Sequence, residues 1–478
     1  MDRIFIFLAV IASLVILCQW FVYSSIRKYV FQRYRPITRK VAYFTLSFLA
    51  ILNLVGSRLA LDSDALAVDT MARQLAAVVY FSYLGSILAL CVVFLALGWI
   101  SMMLDLRGLM IRYVARLRAQ AECFKSCKES RMGATTNLSG ASEMLQTDSI
   151  ADCKRKTPQL LRNADGSQSL PANFMARRTF LKWSSVAGVT AVAGFSADGL
   201  AEAFDDPVVE QFDFLHPKLA GLSTPVTIAQ ITDFHLGMFF DSADLEKLVR
   251  KLNSLEFDAL FITGDMFHSP MTHVDLAVPA LRGLRPRTVG NFAVLGNHDF
   301  YAGVTRSVEC LKQSGLVLLR DQWLSHRNGK SLIHIGGIDD PRGNWVWGAD
   351  FPRFGAFIKS APEAEGLRIL LSHRPNVLPS AARHQVDFVV SGHVHGGQII
   401  VPVGTDRGFS IARIASHYTH GWYAENKSRM YLSRGVGLTF IPWRINCPPE
   451  IAVFHLKPSN DGQIRVVRTE TQGLELSG

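Results

Sequence analysis

Five times in the second half of the chain, a short apolar run ends in residues whose side chains can hold a metal ion. Asp233 and His235 follow Val226–Thr232, and Gly264-Asp265 follows Leu260–Thr263. Gly296-Asn297-His298-Asp299 follows Phe292–Leu295, and Ser372-His373 follows Ile369–Leu371. Gly392-His393-Val394-His395 follows a run that begins at Val386. Short apolar runs bounded by glycine and polar residues read as buried strands. Sites in α/β sheets form just beyond the carboxyl ends of strands. Each cluster alone is weak, since Gly-Asp is more often a turn and Asp-x-His can cap a helix. Five in order, each behind a buried strand, restrict the fold to one whose strand ends converge on a crevice.

The last cluster is the densest. Two histidines separated by one residue lie on the same side of an extended chain. Gly392, Gly396 and Gly397 around them let the backbone turn and leave room beside the rings. A metal site and a hydrogen-bonded turn both fit this stretch by itself.

In their order, Asp-x-His, Gly-Asp, Gly-Asn-His-Asp, His and Gly-His-x-His resemble the signature of the calcineurin-like metallophosphoesterases, over about Val226–Leu456. Gly392–Gln398, Ser433-Arg434-Gly435-Val436-Gly437 and Arg444–Ile451 resemble the membrane-attached YkuE- and YaeI-type bacterial members. The resemblance implies an α/β fold, a metallophosphoesterase-type β-sandwich flanked by helices, with two divalent metal ions at the strand ends. It implies that Asp233, His235 and His395 hold the first ion and Asn297, His373 and His393 the second, with Asp265 bridging. One carboxylate can hold two cations about 3.5–4 Å apart, the spacing of two-metal hydrolases. Imidazole, carboxylate and amide oxygen together suit Mn, Fe or Zn. The reaction so implied is in-line attack on phosphorus by a hydroxide generated at the metal pair. His298, beside a ligand but not one itself, would protonate or stabilise the leaving oxygen. Asp299 could orient His298 or cap the following helix. Arg374 and Arg434 are candidate phosphate clamps, because guanidinium matches phosphate oxygens in pairs. His268, His334, His417 and His420 are taken as structural or surface residues. Phe239, Phe240, Trp345, Trp347, Trp422 and Trp443 are more often core, though they could form a lip at a bilayer interface.

The chain has 478 residues, 49% hydrophobic, with mean hydropathy +0.18 and a formal charge of +10. The apolar excess lies near the N-terminus. Ile4–Tyr23, Val41–Leu61 and Leu75–Ile100 are each long enough to cross a bilayer as a helix. Arg27, Lys28, Arg33, Arg35, Arg39 and Lys40 fill the first loop, whereas Asp62, Asp64 and Asp69 face Arg73 in the second. Positive flanks therefore place the first loop in the cytoplasm. They also explain the basic charge without nucleic acid, and no nucleic-acid partner is expected.

The domain expectation is a transmembrane region of three helices (1–104), then a basic and polar cytoplasmic linker (105–172). Residues 173–203 come next, with Arg177-Arg178-Thr179-Phe180-Leu181-Lys182 and an Ala201-Glu202-Ala203 end. They resemble a twin-arginine export signal, implying the twin-arginine export machinery as a partner; an ordinary fourth membrane helix is the alternative. Ala176 stands where such a signal has Ser or Thr, and the position is far from the N-terminus. A linker (204–224), the catalytic domain (225–457) and a polar tail (458–478) complete the division. Cys310 and Cys447 could pair in an oxidising compartment or remain buried thiols.

The expected protein is a multi-pass enzyme of the bacterial cytoplasmic membrane, with its catalytic domain on the periplasmic or outer side. The expected substrate is a phosphorylated lipid or envelope small molecule. One alternative is hydrolysis of UDP-2,3-diacylglucosamine in lipid A synthesis, whose cytoplasmic substrate conflicts with this topology. A non-catalytic membrane scaffold of the same fold is another, which retention of every ligand position argues against.

Overall fold

The computed structural model describes residues 173–269, 272–341, 354–362, 365–403 and 408–469, with 20–22, 24–25 and, discontinuously, 78–118. The chain divides into two units, Met1–Ala50 with Ser86–Ala193, and Ile51–Gly85 with Gly194–Gly478. The expected spans Ile4–Tyr23 and Val41–Leu61 and the linker at 105–172 lie largely or wholly outside the described residues. Among those described, one helix, at Tyr80–Leu97, is long and apolar enough to cross a membrane. In the first unit Val22, Cys91, Phe94 and Leu97 form a small buried cluster. Residues 173–203 form a single helix, α1 (Asn173–Ala203).

The second unit carries fifteen strands among the described residues. They are β1 (Val208–His216), β2 (Val226–Ile231), β3 (Ala259–Thr263), β4 (Gly290–Val294), β5 (Val317–Leu318), β6 (Gln322–Asn328), β7 (Ser331–Ile338) and β8 (Leu367–Ser372). There follow β9 (Phe388–Ser391), β10 (Ile400–Pro402), β11 (Gly408–Ser410), β12 (Gly421–Glu425), β13 (Ser428–Leu432), β14 (Glu450–Pro458) and β15 (Arg465–Arg468). One sheet has the order β15-β1-β14-β2-β3-β4-β5, the other β12-β13-β9-β8-β7-β6, and β10 and β11 form a separate ribbon.

The two sheets share one core, and each also buries its outer face. Along β2 and β3, Ile228, Ala259 and Phe261 enter the core between the sheets. Their neighbours Ala229, Ile231, Leu260 and Ile262 join the core beneath the helix α2 (Ser242–Asn253), which contributes Leu245, Leu248, Val249 and Leu252. The second sheet repeats the division. Ile369, Leu371, Phe388 and Val390 face the first sheet, whereas Leu370 and Val389 pack with Leu378 and Ala381 on the other side. Burial on both faces is why these strands read as continuous apolar runs. An Asp241–Asp244 capping box starts α2, satisfying N–H groups that have no partner inside the helix.

Two boundaries differ from expectation. Residues 208–216, expected as linker, form β1, paired in parallel with β14 from Val208↔Glu450 to His216↔Pro458. Phe212 and Phe214 enter the inter-sheet core, while Glu210 and Gln211 before them and Asp213 between them give the stretch its polar look. The expected polar tail supplies β15, antiparallel to β1. Cys310 and Cys447 are buried free thiols. Of the aromatic residues considered for a lip, Phe239 and Trp443 are buried. Trp422 stacks on Phe388 within the core, and Trp345 and Trp347 lie outside the described residues.

Candidate metal centre

The carboxyl ends of β2, β3, β4, β8 and β9 bring the five clusters together. Asp233, His235 and His395 each place a ligand-capable atom within 4.8 Å of the others, and Asp265, His373 and His393 do the same. In the first group the Nε2 atoms of His235 and His395 are 3.0 Å apart, and Asp233 Oδ1 is 3.4 Å from His395 Nε2. In the second, His393 Nδ1 is 3.1 Å from His373 Nε2. Asp265 Oδ2 reaches both, at 3.2 Å from His373 Nε2 and 3.8 Å from His235 Nε2. Asn297 is buried, with neither side-chain amide atom hydrogen-bonded. An orphaned buried amide is costly, and as a cation ligand its oxygen would no longer be orphaned.

Backbone geometry concentrates strain at these residues. Asp233, His235, Asp265, His393 and His395 all have φ between 47° and 80°. For residues with a Cβ this region costs about 1–3 kcal/mol each and persists only where neighbours enforce it. Here strand-end loops are stitched to one another: Asp233 N–H donates to Gly264 O at 3.0 Å, His235 N–H to Asp265 O at 3.1 Å and Gly392 N–H to His373 O at 3.0 Å. Glycine is needed where loops touch. A Cβ on Gly296 would sit 2.2 Å from Asp265 Oδ1, and one on Gly392 2.3 Å from Asp233 Oδ2.

The electrostatics suit cation binding. Burial holds the rings of His235 and His393 well below the usual imidazole range and brings His395 down to about 3. Neutral imidazole is the ligating form. His373 runs the other way: burial disfavours its charge, but Asp265 outweighs burial and raises it to about 10. A cation shared with Asp265 would take the place of that proton. His373 Nδ1 donates to Thr263 O at 2.8 Å, which turns Nε2 toward the cluster, the outer-shell arrangement typical of ligating histidines.

Asp299 takes the second of its two expected roles, the cap, and His268 departs from expectation. Asp299 does not orient His298: its carboxylate accepts N–H bonds from Met266, Phe267 and Gly296 at 2.9, 3.0 and 2.8 Å. It caps the short helix α3 (Asn297–Tyr301) and ties the Asp265 loop to the Asn297 loop. His298 Nδ1 instead donates to the His268 carbonyl at 2.7 Å, leaving Nε2 able to exchange a proton with substrate. His268, expected as structural or surface, belongs to the site. Its ring lies 5.5 Å from that of His298 and 5.7 Å from that of His235, and burial lowers it to about 4.

The two arginines are engaged by the scaffold. Arg374 is buried, with Nε 2.6 Å and Nη2 3.2 Å from the Asp340 carboxylate. Arg434 pairs with Glu450 at 2.5 Å and Glu210 at 2.9 Å. Arg444 is fully buried and serves the backbone. It donates to the carbonyls of Arg434, Gly435, Gly437 and Cys447 at 2.6–3.1 Å. That holds the loop whose Val436 and Gly437 N–H groups bond Thr232 and Asp233 carbonyls at 3.0 and 2.9 Å.

The calcineurin-like phosphoesterase family matches residues 226–397. Over 251 residues the chain is 30% identical to an uncharacterized metallophosphoesterase of Aquifex aeolicus, spanning 52% of this chain and 91% of that one. Over 240 residues it is 32% identical to the uncharacterized metallophosphoesterase YkuE of Bacillus subtilis, covering 49% and 79% respectively. The chain belongs to the calcineurin-like metallophosphoesterases. A metallophosphoesterase of this family is a metal-dependent phosphoric ester hydrolase, and its fold binds divalent metals. A Danio rerio relative named transmembrane protein with metallophosphoesterase domain is 28% identical over 321 residues, covering 64% of this metallophosphoesterase and 69% of its own length.

Proposed function

We propose that this metallophosphoesterase is a membrane-tethered, dinuclear hydrolase of a phosphate mono- or diester carried by a lipid or other envelope component. The observation that carries the dinuclear reading is Asp265 Oδ2 standing between the His235 and His373 nitrogens, at 3.8 and 3.2 Å. Asp233, His235 and His395 would hold one ion and Asn297, His373 and His393 the other. When bound, the pair supplies water activation and neutralises phosphate charge. His298, its Nδ1 fixed by the His268 carbonyl, presents Nε2 to give a proton to the leaving oxygen. Asp299 and Arg444 hold the loops that carry the ligands. Arg374 and Arg434 lie beside ligand-bearing loops and would act on phosphate only through faces not used by their carboxylate partners.

Membrane tethering is supported by the apolar helix at Tyr80–Leu97 and by the transmembrane naming of the Danio rerio relative. The loop charges support a bacterial multi-pass arrangement with an outward catalytic domain. The test is hydrolysis of bis-p-nitrophenyl phosphate by the full-length protein in detergent with manganese. Chelation should abolish it, and Asp265→Ala should lower it by about 10³-fold or more, given the charge stabilisation metals provide. Activity unchanged in Asp265→Ala would overturn the proposal. Lipid extracts of cells with and without the protein should differ in a phosphorylated lipid. A reporter fused after Gly478 that reads as cytoplasmic would favour UDP-2,3-diacylglucosamine instead.

A further inference from the structure

The β10–β11 ribbon has the faces of a surface hairpin reversed. Val401 pairs with Phe409 and Ile400 with Ser410, so the two pairs project to opposite sides. Ile400 and Ser410 are buried, while Val401 and Phe409 are exposed. The solvated face of an antiparallel pair is ordinarily polar; this one is apolar. Val403 continues the face, exposed in its turn. The following 3₁₀ turn, Ile411–Ile414, buries none of its residues. Its isoleucines stand three apart, hence one above the other, and Ile414 is 77% exposed.

A separate loop adds Phe440, 68% exposed. Gln398 ties this loop to the base of the ribbon. Its amide donates to the Ile441 and Trp443 carbonyls at 2.8 and 3.1 Å and accepts from Thr439 N–H at 2.7 Å. Ser410 Oγ donates to Gly396 O at 2.7 Å, joining the ribbon to the turn that carries His395.

What covers this face is indicated by what is seated beside it. A Cβ on Gly85 would lie 2.8 Å from the Trp443 ring, and the Phe81 ring meets that of Phe239 edge-on at 5.8 Å. The first residues of the apolar Tyr80–Leu97 helix therefore rest on the loop that carries Phe440. The last turn of α1 rests there too, where Glu202 accepts the N–H groups of Asn446 and Cys447 at 2.8 Å. A helix that enters a bilayer from this point puts the lipid surface next to Phe440.

We infer that Val401, Val403, Phe409, Ile411, Ile414 and Phe440 rest in the headgroup–acyl boundary of the bilayer and seat the metal centre against the lipid surface. Apolar side chains buried at this depth bind by the area they remove from water. The inference rests on the membrane-tethered reading above. It gives the lipid substrate a route: the apolar part stays in the bilayer while the phosphate reaches the centre.

The test places single tryptophans in the full chain, Ile414→Trp and Phe440→Trp, in phosphatidylethanolamine–phosphatidylglycerol vesicles with or without brominated acyl chains. Leu324→Trp, at an exposed position on β6 outside the patch, is the control. Emission added at 414 and 440 should fall about two-fold or more with brominated lipid, as expected for side chains in the acyl boundary, and stay unchanged at 324. Quenching at 414 and 440 no greater than at 324 would overturn the inference. Shielding without quenching would give the face to a second copy of the chain and overturn it equally. Failure to float with the vesicles would contradict tether and surface together. Hydrolysis of bis-p-nitrophenyl phosphate in the same samples separates the two readings. Lost quenching with hydrolysis intact removes the surface alone, and quenching without hydrolysis removes the phosphoesterase reading alone.

Discussion

The Nε2 atoms of His235 and His395 face each other at 3.0 Å, on rings that burial keeps neutral. Such a pair gains at most one hydrogen bond, while both Nδ1 atoms lack a partner and both residues sit at positive φ. A shared cation would give this arrangement a purpose. Saturating manganese or zinc should then raise the thermal midpoint of the chelated protein by about 5–10 °C, as ligands well above their dissociation constants do. His395→Ala should reduce the rise. A midpoint indifferent to metal in scanning fluorimetry would count against the site.

His298 and Asp299 are neighbours with separable roles. His298→Ala should lower kcat by about 10²–10⁴ for esters with poor leaving groups, and much less for p-nitrophenolate, which needs no proton. Asp299→Ala removes the acceptor of three buried N–H groups. It should cost about 2–4 kcal/mol of stability without that leaving-group dependence. Urea unfolding beside a leaving-group series distinguishes the two, and a matching leaving-group slope in both variants would contradict this division.

Asp387 supplies a pH-dependent contribution away from the metal centre. Burial opposes its charge, but His216, the Arg368 N–H and Lys218 together outweigh burial and lower its pKa. Lys218 Nζ is 2.6 Å away and the Arg368 N–H 2.8 Å. A carboxylate depressed in the folded state stabilises fully above its unfolded value, about 3.9, and loses that stabilisation as pH falls from there through its folded value. Asp387→Asn should therefore be less stable than the parent at neutral pH, with the gap closing below about pH 4. A gap independent of pH in urea midpoints would remove this role.

Glu202 anchors the end of α1 to the Asn446 and Cys447 N–H groups at 2.8 Å, and Ala203 is buried beside Phe239 and Leu438. Cleavage after Ala203 would sever both residues, with the helix that presents them, from the domain they anchor. The chain should therefore remain whole, migrating with a C-terminal tag at its full 53.0 kDa. A shorter tagged product in membranes would support a processed export signal.

The strand ends were readable because two-sided burial makes apolar runs and because few residue types ligate metals. β1 is hard to read in the sequence because Glu210, Gln211 and Asp213 stand among its apolar residues, and its partner β14 lies more than two hundred residues away. His268 is not legible as a site residue because one histidine in a loop carries no direction. Only the fold of the Asp265 loop turns its carbonyl to His298. Its position three residues beyond Asp265 is the available signal. Arg444 is legible only in three dimensions, since arginine is rarely buried and its carbonyl partners are contributed by a turn of the chain. For Asp299 both an orienting role and a helix cap are open in the sequence, and the cap is the one realised: an acidic residue at the third helical position serves the backbone N–H groups there.

Metal stoichiometry decides whether the strand ends hold two ions. The full-length protein in detergent, loaded with manganese and freed of excess ion, is analysed by plasma mass spectrometry alongside Asp265→Asn, with hydrolysis measured on both. The account predicts two ions per chain in the parent, as in two-metal hydrolases, with fewer ions and hydrolysis lost in the variant. Full hydrolysis with one ion or none, or a variant that keeps both ions and full activity, would contradict it.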